Sequence, residues 1–272
     1  MSRLRKLINI LLLDIHRSLK QKILLTWLRV FLFKMYDRSN LSAEIAGFRM
    51  KFLDFATFSF LYNEIFINDE YRFKAETDHP FIIDCGSNIG MSVLYFKTLY
   101  PGSRIVAFEP GKETFACLEQ NIIKNNLSDS VQIHELAVMD QEGSVEFFHD
   151  PENPGSLLMS TKKDRLPMQK RTVNGTVLSK HIDQEIDFLK MDIEGAETEV
   201  IAELARSGKL ALIKQMAIEY HHHLVKDADA LSKMLQLLED AGFGYQIRGD
   251  VDRPFEPEQF QDIVIYAYRK RR

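Results

Sequence analysis

From Pro80 onward, short apolar runs alternate with longer segments of helical periodicity, and this alternation limits the possible folds more than any other feature of the chain. Because crossover helices join parallel strands, it predicts an α/β fold, a mostly parallel sheet with helices on both faces. The last two predicted strands follow one another without a helix, so they should form an antiparallel edge. The predicted strands are FIIDC (81–85), RIVAFE (104–109), VQIHELAV (131–138), FLKMDI (188–193), LIKQMAIEY (212–220), 244–249 and 262–268.

Composition narrows the class of protein further. A chain of 272 residues with 45% hydrophobic and 27% charged residues can bury a large core, which excludes a mainly disordered or fibrous protein. The two cysteines, Cys85 and Cys117, cannot form a disulfide framework or a four-thiolate zinc site. We expect both to be small buried side chains in a cytoplasmic protein. No apolar run reaches the roughly 18 residues of a membrane span.

The N-terminal segment differs in charge from the rest of the chain. Residues 1–40 carry nine Lys and Arg against two Asp, a net charge of +7, whereas the whole chain has a net charge of −4. Two apolar stretches in it, LINILLL (7–13) and ILLTWLRVFLFKMY (23–36), are separated by basic residues, and the second contains the only tryptophan, Trp27. The pattern predicts a basic amphipathic helical arm on a body of residues 41–272, whose core is 80–268.

Three interpretations of this arm are open. A basic amphipathic helix can lie at an anionic membrane surface, which would make the protein peripheral at the membrane. Alternatively, the arm packs on the body or on a second copy of the chain in a homodimer. A signal peptide is the third interpretation, although no small-residue cleavage site follows Leu13. A basic arm on an acidic body does not favour nucleic acid as a partner.

Three further segments lie outside the alternating pattern. Residues 50–75 are rich in Phe and Tyr and alternate imperfectly, which predicts short strands or a lid. SVEFF (144–148) is expected to form one arm of a hairpin. Residues 150–171 contain three prolines and a cluster of Lys and Arg, which predicts a loop over one end of the sheet. Its basic residues are either solvated or part of a mobile lid that recognises a phosphate or an acidic sugar.

The segment DCGSNIG (84–90) follows the first predicted strand, where a parallel sheet binds ligands. Gly86 lets the chain turn, and Gly90 lets the next helix pack close to the strand. The turn places backbone N–H groups at a helix N-terminus, which suits an anionic group. Asn88 replaces the middle glycine of the dinucleotide motif, which argues against a nicotinamide cofactor. Asp84 adds a carboxylate that suits an ammonium, so the expected ligand carries an amino-acid group.

Glu109 ends the second predicted strand, 19 residues after Gly90. A carboxylate at this place accepts hydrogen bonds from ribose hydroxyls. An amino acid joined to a ribose describes S-adenosylmethionine, so the two segments together predict a site for that cofactor. The simpler alternative is an ordinary α/β turn with a chance surface acid. The residues predicted to bind the cofactor are Asp84, Gly86, Ser87, Asn88, Gly90 and Glu109.

A series of motifs resembles the FkbM family of S-adenosylmethionine-dependent methyltransferases. The motifs are DCGSNIG (84–90), FEP (108–110), LAVMDQEG (136–143) and FLKMDIEGAE (188–197), with a similar lead-in, YNEIFINDEYRF (62–73). The resemblance implies a Rossmann-like class I methyltransferase sheet of seven strands, the last antiparallel. It also implies O-methylation of hydroxyls on sugars, glycolipids or polyketides. Further cofactor contacts are then expected from the motif residues Pro110, Ala137 and Asp192.

Charged side chains crowd the ends of the fourth and fifth predicted strands. Strand alternation places Lys190, Asp192 and Glu194 on one face if the strand persists, with Glu197 beyond them. Glu219 and His221 end the next strand, which is the neighbour in the sheet of the resembled family. Both groups should therefore open at the edge that holds the cofactor. The residues predicted to be catalytic are Lys190, Asp192, Glu194, Glu219 and His221.

Three roles for this edge are open. Asp192 and Glu219 could hold Mg²⁺, Mn²⁺ or Ca²⁺, which would lower the pKa of an acceptor hydroxyl. Without a metal, His221 could act as a general base, because the ordinary pKa of histidine suits that role. In the third case the side chains only position the acceptor. The simpler interpretation of Glu194 and Glu197 is charge that complements a helix N-terminus.

The run His221-His222-His223 suggests zinc, but consecutive strand residues point alternately, so at most two share a face. The sequence as a whole predicts methyl transfer from S-adenosylmethionine to a hydroxyl of a sugar, glycan or glycolipid, lipid-linked if the arm binds membrane. Alternatives are methylation of a polyketide or other secondary metabolite, a nicotinamide-dependent oxidoreductase, and a protein that binds the cofactor without turnover.

Overall fold

A computed structural model of the protein describes residues 20–21, 23–28, 41–150, 169–223, 230–249 and 260–270. The strands are β1 (Ser42–Ile45), β2 (Phe48–Lys51), β3 (Phe81–Cys85), β4 (Arg104–Phe108), β5 (Val131–His134), β6 (Ala137–Met139), β7 (Gly143–His149), β8 (Gln169–Val177), β9 (Ile186–Met191), β10 (Ile213–His222), β11 (Phe243–Gly249) and β12 (Gln261–Arg269). The α-helices are α1 (Phe55–Tyr62), α2 (Met91–Leu99), α3 (Lys112–Lys124), α4 (Glu197–Arg206) and α5 (Leu231–Asp240), and a π-helical turn, Asn63–Ile67, extends α1.

Seven strands form the central sheet in the spatial order β11-β12-β10-β9-β3-β4-β5. The pairs β10–β9, β9–β3, β3–β4 and β4–β5 are parallel, whereas β12 runs antiparallel to both of its neighbours. One hydrophobic cluster covers each face of the sheet. The predicted α/β architecture, with an antiparallel strand near the end of the chain, is confirmed.

The middle of the sheet is formed by β3 and β9, and every residue of both strands is buried. Near-continuous apolar sequence is typical of strands that have helices on both faces. Two charged residues, Asp84 and Lys190, are partners across the parallel ladder. Because a buried charge needs a partner, this pair indicates that the sheet has a role beyond packing at this point. Cys85 and Cys117 are free and buried, as predicted.

The segment after β2 is helical, so the prediction of short strands or a lid over 50–75 is wrong for residues 55–67. Asp54 begins α1 by accepting a hydrogen bond from the Thr57 amide at 2.7 Å. Phe58, Tyr62 and Phe66 follow at helical spacing and stack in sequence, with ring centroids 6.2 and 5.5 Å apart. Aromatic residues favour strands on average, but here their spacing by four residues buries them as one ridge.

The predicted strand 131–138 is divided between two sheets. Val131–His134 pairs with β4, whereas Ala137–Met139 pairs with β8 in a separate sheet of order β6-β8-β7. The sequence pattern cannot show this, because either half on its own can form a short strand, and the partner strand is set by the fold. The hairpin predicted from 144–148 is confirmed as β7 and β8. Residues 169–171, predicted as loop, begin β8, and the rest of the predicted loop lies outside the described residues.

Part of the N-terminal arm is described, and it packs on the body. Residues 23–28 are helical, and Ile23 and Thr26 are buried. The Tyr62 hydroxyl donates to the Ile23 carbonyl oxygen at 2.8 Å. Most of residues 1–40 lies outside the described residues, so the choice between membrane and second subunit stays a prediction. None of the described helices has the length and apolarity needed to cross a membrane.

Candidate active site

The glycine turn between β3 and α2 is fixed by backbone hydrogen bonds. The amides of Gly86 and Ser87 both donate to the Phe108 carbonyl oxygen at 2.9 Å. Gly86 has φ +80°, and a Cβ there would lie 1.7 Å from the Asp192 carbonyl oxygen, so only glycine fits. Gly90 has φ +89°, and a Cβ there would meet the Leu118 side chain at 2.7 Å. Gly90 therefore allows close packing against α3, not against the strand as predicted.

A cleft of about 800 Å³ opens at the carboxyl ends of β3, β4 and β9. Most of the predicted cofactor and catalytic residues line it together: Gly86, Ser87, Asn88, Glu109, Pro110, Ala137, Lys190, Asp192 and Glu194. Leu136, Val138 and Phe147 add an apolar wall, and none of these three was predicted as a site residue. Phe147 lies under the Arg171 guanidinium, and that group also binds Glu113 at 2.8 Å. The β7–β8 hairpin is thereby attached to α3 beside the cleft.

The Glu109 carboxylate closes the glycine turn as well as facing the cleft. One oxygen accepts from the Asn88 amide at 2.8 Å. The other accepts from the Gly111 amide and the Thr114 hydroxyl, both at 2.7 Å. Burial raises the pKa of Glu109, although these hydrogen bonds oppose the shift. The predicted ribose-binding position is therefore held in place by three donors of the protein itself.

Asp84 lies behind the cleft, which corrects the prediction that its carboxylate points into the site. Its side chain is fully buried, and one oxygen accepts from the Ser92 hydroxyl at 2.5 Å. The other oxygen lies 3.6 Å from Lys190 Nζ. The Lys190 ammonium group therefore occupies the position beside Asp84 that was predicted for the ammonium group of a ligand. Asp84 positions Lys190 and α2.

Lys190 connects the glycine turn with the acidic edge of the site. Its Nζ donates to the carbonyl oxygens of Cys85 and Gly86, at 3.2 and 2.5 Å, and to Asp192 Oδ2 at 3.3 Å. Burial lowers the pKa of Lys190, but the nearby carboxylates of Asp192, Asp84 and Glu219 outweigh burial and raise it overall. The contacts of this cation with the glycine turn and with Asp192 favour a positioning role for Lys190.

His221 is buried among carboxylates. Its Nδ1 lies 3.0 Å from Glu197 Oε1, and its Nε2 lies 3.1 Å from Glu194 Oε2. Burial lowers the pKa of His221, but the charges of Glu197, Asp192 and Glu219 outweigh burial and raise it to about 9. The imidazole is therefore protonated near neutral pH in this arrangement. The ordinary histidine pKa that we expected for a general base is therefore shifted upward, and the role of His221 as a base stays a prediction.

Glu219 lies in the same cluster of charges and is the second candidate for receiving the proton of an acceptor. Burial and the Asp192 charge raise the pKa of Glu219 to about 8, against the opposing effect of His221. The Tyr71 hydroxyl donates to Glu219 Oε2 at 3.1 Å, and the Tyr71 ring lies 5.4 Å from Lys190 Nζ. Tyr71 also lines the cleft, and it was missed in the sequence. The similar lead-in 62–73 was the available signal, but it does not show a contact across 148 positions.

The part of the chain that the structure describes contains one group of three side chains able to hold a metal ion: Asp192, Glu219 and His221. Their ligand atoms all lie within 4.8 Å of one another. This set adds His221 to the two predicted ligands. His222 and His223 stack on each other at 3.8 Å and do not belong to the group. The consecutive histidines therefore form no joint zinc site among the described residues.

Several known proteins have sequences similar to this chain. A family described as the methyltransferase FkbM domain matches residues 84–245. Methyltransferase 1 of Beauveria bassiana is 31% identical over 232 residues, which cover 77% of this chain and 89% of the relative. The 31-O-demethyl-FK506 methyltransferase FkbM of Streptomyces tacrolimicus is 26% identical, with 75% and 88% covered. The 2-O-methyltransferase NoeI of Sinorhizobium fredii is 27% identical, with 65% and 79% covered. The chain belongs to the FkbM family of S-adenosylmethionine-dependent methyltransferases.

Proposed function

We propose that the protein transfers a methyl group to a hydroxyl oxygen of a sugar, glycan or glycolipid. The main observation in favour of this proposal is that carboxylate side chains lie at one edge of the cofactor cleft. Asp192 lines the cleft, and a ligand atom of Glu219 lies within 4.8 Å of one of Asp192. Carboxylates at this place can hold a hydroxyl group and receive its proton. Two of the relatives are named for methylation at oxygen, which supports the same chemistry.

The residues of the cleft fit S-adenosylmethionine, which supplies an activated methyl group when bound. Glu109 would hold its ribose hydroxyls, and the glycine turn lies next to its amino-acid end. The amides of Gly86, Ser87 and Asn88 already donate to Phe108 and Glu109, so, contrary to the prediction, they are not available to the carboxylate of the ligand. The apolar wall of Leu136, Ala137, Val138 and Phe147 suits a flat aromatic base.

The acceptor side of the mechanism depends on residues of β9 and β10. Lys190 fixes Asp192, and Tyr71 fixes one oxygen of Glu219. Glu219 can accept the proton of a hydroxyl group only in its ionised form, and because burial and the Asp192 charge raise its pKa to about 8, that form increases as pH rises through about 8. His221 stays cationic between Glu194 and Glu197, so it compensates the charge of the other carboxylates.

A divalent cation is the alternative means of activating the hydroxyl. Asp192, Glu219 and His221 have oxygen and imidazole donors that suit Mn²⁺ or Mg²⁺, and Glu197 on Nδ1 would orient the imidazole from behind. The test is binding of Mn²⁺ alone, followed by electron paramagnetic resonance, to the wild type and to Asp192→Asn. We expect binding to be lost in the variant. Full turnover after exhaustive chelation would instead assign the proton to Glu219 without a metal.

The proposed function is tested by incubating the purified protein with methyl-labelled S-adenosylmethionine and a panel of neutral mono- and oligosaccharides and glycolipids. Mass spectrometry should detect one added methyl group, attached at oxygen. Asp192→Asn should remove the product while the protein still binds the cofactor. Labelling of no sugar-containing acceptor, together with labelling of another compound class, would contradict the proposal.

A hydroxyl of a secondary metabolite is the second candidate acceptor. It is favoured by the relative named for 31-O-demethyl-FK506, which this chain matches over 88% of its length. The same assay with macrocyclic alcohols decides between the two.

The N-terminal arm raises two further questions: whether the acceptor is lipid-linked, and whether residues 1–40 bind a membrane or a second copy of the chain. These questions are tested separately. Family membership leaves the nicotinamide-dependent alternative without support.

A further inference from the structure

A four-residue turn, 69–72, follows the π-helical turn and carries Tyr71. The Arg72 amide donates to the Asp69 carbonyl oxygen at 3.2 Å, which closes the turn. From within this turn the Tyr71 hydroxyl donates to Glu219 Oε2 at 3.1 Å. The position of that hydroxyl beside Glu219 therefore depends on the contacts that hold the turn.

Asp69 occupies a position where glycine is the usual residue. It lies just beyond the π-helical turn, and its φ of +59° is in the left-handed region. Glycine is the residue most often found beyond a helix in this conformation, because it has no Cβ to clash. Aspartate adopts the conformation more readily than most other residues, and it adds a carboxylate that glycine lacks. The difference between the two residues at this position is therefore the carboxylate and its contacts.

Both oxygens of the Asp69 carboxylate are bound. One accepts from the Tyr95 hydroxyl, and the other lies 3.0 Å from Arg72 Nη1, at the far end of the same turn. Burial and the Asp69 charge raise the pKa of Tyr95 well above its ordinary value, so the hydroxyl keeps the proton that it donates. Asp69 thus closes the turn through its side chain as well as through its backbone.

Tyr95 attaches the turn to α2. Its side chain is buried, and its ring lies edge-on to the ring of Phe66 in the π-helical turn, with centroids 5.3 Å apart. Three residues earlier on α2, the Ser92 hydroxyl binds the buried Asp84. The helix that begins at the glycine turn therefore also holds the turn 69–72. The cofactor side of the cleft and its acceptor side are linked through α2.

The segment that ends in this turn forms one side of the cleft, which is lined by Leu61, Ile65 and Tyr71. The Tyr71 side chain is buried, and a shift of the turn would move its hydroxyl away from Glu219. A misplacement of about 1 Å at a catalytic site can reduce the rate roughly a hundredfold. A contact that fixes the turn can therefore affect the reaction without touching a reacting group.

We propose that Asp69 and Tyr95 are positioning residues for methyl transfer, which hold Tyr71 in hydrogen-bonding contact with Glu219. The proposal rests on the proposed function in taking Glu219 to lie at the acceptor. Neither Asp69 nor Tyr95 lines the cofactor cleft, and both act through Tyr71. Loss of their contact frees the turn, lets the Tyr71 hydroxyl leave Glu219 and lowers the rate of transfer.

The first test follows the Tyr71 side chain by NMR in the full chain, with tyrosine labelled at Cζ and the Tyr71 signal assigned by its loss in Tyr71→Phe. In Tyr95→Phe we expect this signal to shift, and the amide hydrogens of residues 68–73 to exchange about tenfold faster, the effect of one lost buried hydrogen bond. Asp69→Gly should give the same result, because it keeps the backbone conformation and removes the carboxylate. Asp69→Asn should restore the wild-type signal, since asparagine tolerates φ +59° and keeps an oxygen for Tyr95.

The second test is turnover with methyl-labelled S-adenosylmethionine and the panel of sugar acceptors. Tyr95→Phe and Asp69→Gly should lower kcat about tenfold, and Asp69→Asn should restore it. Calorimetry should give the same cofactor affinity in all three variants. Tyr62→Phe is the matched control, because it also removes a buried hydroxyl, one that donates to the Ile23 carbonyl oxygen of the arm at 2.8 Å. It should lower stability and leave both the Tyr71 signal and kcat unchanged.

The outcomes separate this proposal from the proposed function. An unmoved Tyr71 signal in both Tyr95→Phe and Asp69→Gly would overturn the positioning role. A moved signal with normal kcat would also overturn it, because the contact would then stabilise the turn without serving the transfer. A moved signal in a protein whose wild type methylates no sugar would contradict the proposed acceptor class and support the placement of Tyr71 by this pair.

Discussion

The two halves of the carboxyl edge of the sheet differ in how their polar groups are balanced. At β3 and β4, backbone amides bind the polar atoms of the turn, and the Glu109 carboxylate has three donors from within a short stretch of chain. At β9 and β10, several carboxylates converge on two buried cations, Lys190 and His221. The cofactor half is formed mainly by backbone groups that interact with nearby parts of the chain. The acceptor half is formed by charged side chains that come from segments far apart in the sequence.

This difference predicts different consequences of substitution. Changes in the cofactor half should act on the fold of the turn and on cofactor affinity, because the same atoms serve both. Changes in the acceptor half should act on turnover and on the pH dependence of stability, since unbalanced buried charge is held there at a cost to stability. Each prediction below separates these two kinds of effect.

The largest effect is expected from Gly86→Ala in the cofactor half. The new methyl group would overlap the Asp192 carbonyl oxygen, and the residue would have to keep φ +80°. We expect a loss of about 3–5 kcal/mol in the free energy of unfolding, with no measurable cofactor binding. Urea unfolding and calorimetric titration measure the two quantities. Gly208→Ala is the matched control, because φ is +75° there and nothing lies within 4 Å of the added Cβ; a similar loss in both variants would contradict the overlap argument.

In the acceptor half, Asp192→Asn should reduce turnover by roughly 10²–10³-fold, because the substitution removes charge from the acceptor site and leaves Lys190 with a weaker partner. Thermal unfolding should change little, since Asp192 is partly exposed at the edge of the cleft. Asp262→Asn is the control: that carboxylate is 49% exposed and lies 3.8 Å from His221. Equal loss of turnover in both variants would show a general effect of charge and not a specific role of Asp192.

The stability of the acceptor half should depend on pH through His221. Its pKa is raised to about 9 in the folded protein, from an ordinary value of 6.5. The folded state therefore binds the proton more tightly than the unfolded chain, and the resulting stability is present below pH 6.5 and lost as pH rises through about 9. We expect the free energy of unfolding, measured in a chelator, to fall across this window, and Glu219, whose pKa is raised to about 8, should add to the fall. In Glu197→Gln the part of the fall that is due to His221 should shrink, because Glu197 is the main charge that raises the pKa of His221, and an unchanged slope would contradict the assignment to His221.

Glu109→Ala should weaken cofactor binding by about 10–150-fold, or ~1.5–3 kcal/mol, because hydrogen bonds to a charged acceptor are lost. The structure adds a second consequence, a looser turn, since the amides of Asn88 and Gly111 lose their acceptor. Thr114→Val separates the two, because it removes one donor to the carboxylate and leaves the carboxylate in place. Calorimetry should show nearly normal affinity for Thr114→Val. Normal affinity in a folded Glu109→Ala variant would show that the ribose lies elsewhere.

The same contrast explains which features could be predicted from sequence. The α/β class and the mostly parallel seven-stranded sheet follow from local patterns and are confirmed. The glycine turn and Glu109 also follow from local patterns and lie together in the cleft, and their roles in cofactor binding stay predictions. Tyr71 beside Glu219, and Asp84 beside Lys190, depend on which strands become neighbours, and local patterns contain no such information. The raised pKa of His221 has the same origin, because its carboxylates come from α4 and from the end of β9. The helix over residues 55–67 was missed for another reason. Its aromatic residues recur every four positions, and this helical spacing outweighs the general preference of aromatic residues for strands.

The smallest effect concerns how the acceptor half meets its substrate, and it depends on the arm. Residues 23–28 pack on the body through Ile23 and Thr26, so removal of residues 1–40 should lower stability whether or not the protein meets a membrane. Removal of residues 1–19 alone takes away four basic side chains and should leave that packing intact. If the acceptor is lipid-linked, this shorter deletion should abolish salt-sensitive co-sedimentation with anionic vesicles, at up to about 1 kcal/mol per basic residue.

The matched comparison is between the deletion of 1–19 and the full chain, at low and at high salt. Because charge attraction to a surface is screened by salt, binding through the arm should disappear at high salt in the full chain as well. Cofactor affinity should be the same in both proteins, since the residues predicted to bind the cofactor all lie between Asp84 and Asp192. If the full chain stays in the supernatant as a dimer that the deletion converts to a monomer, the arm joins two copies and the membrane interpretation is wrong.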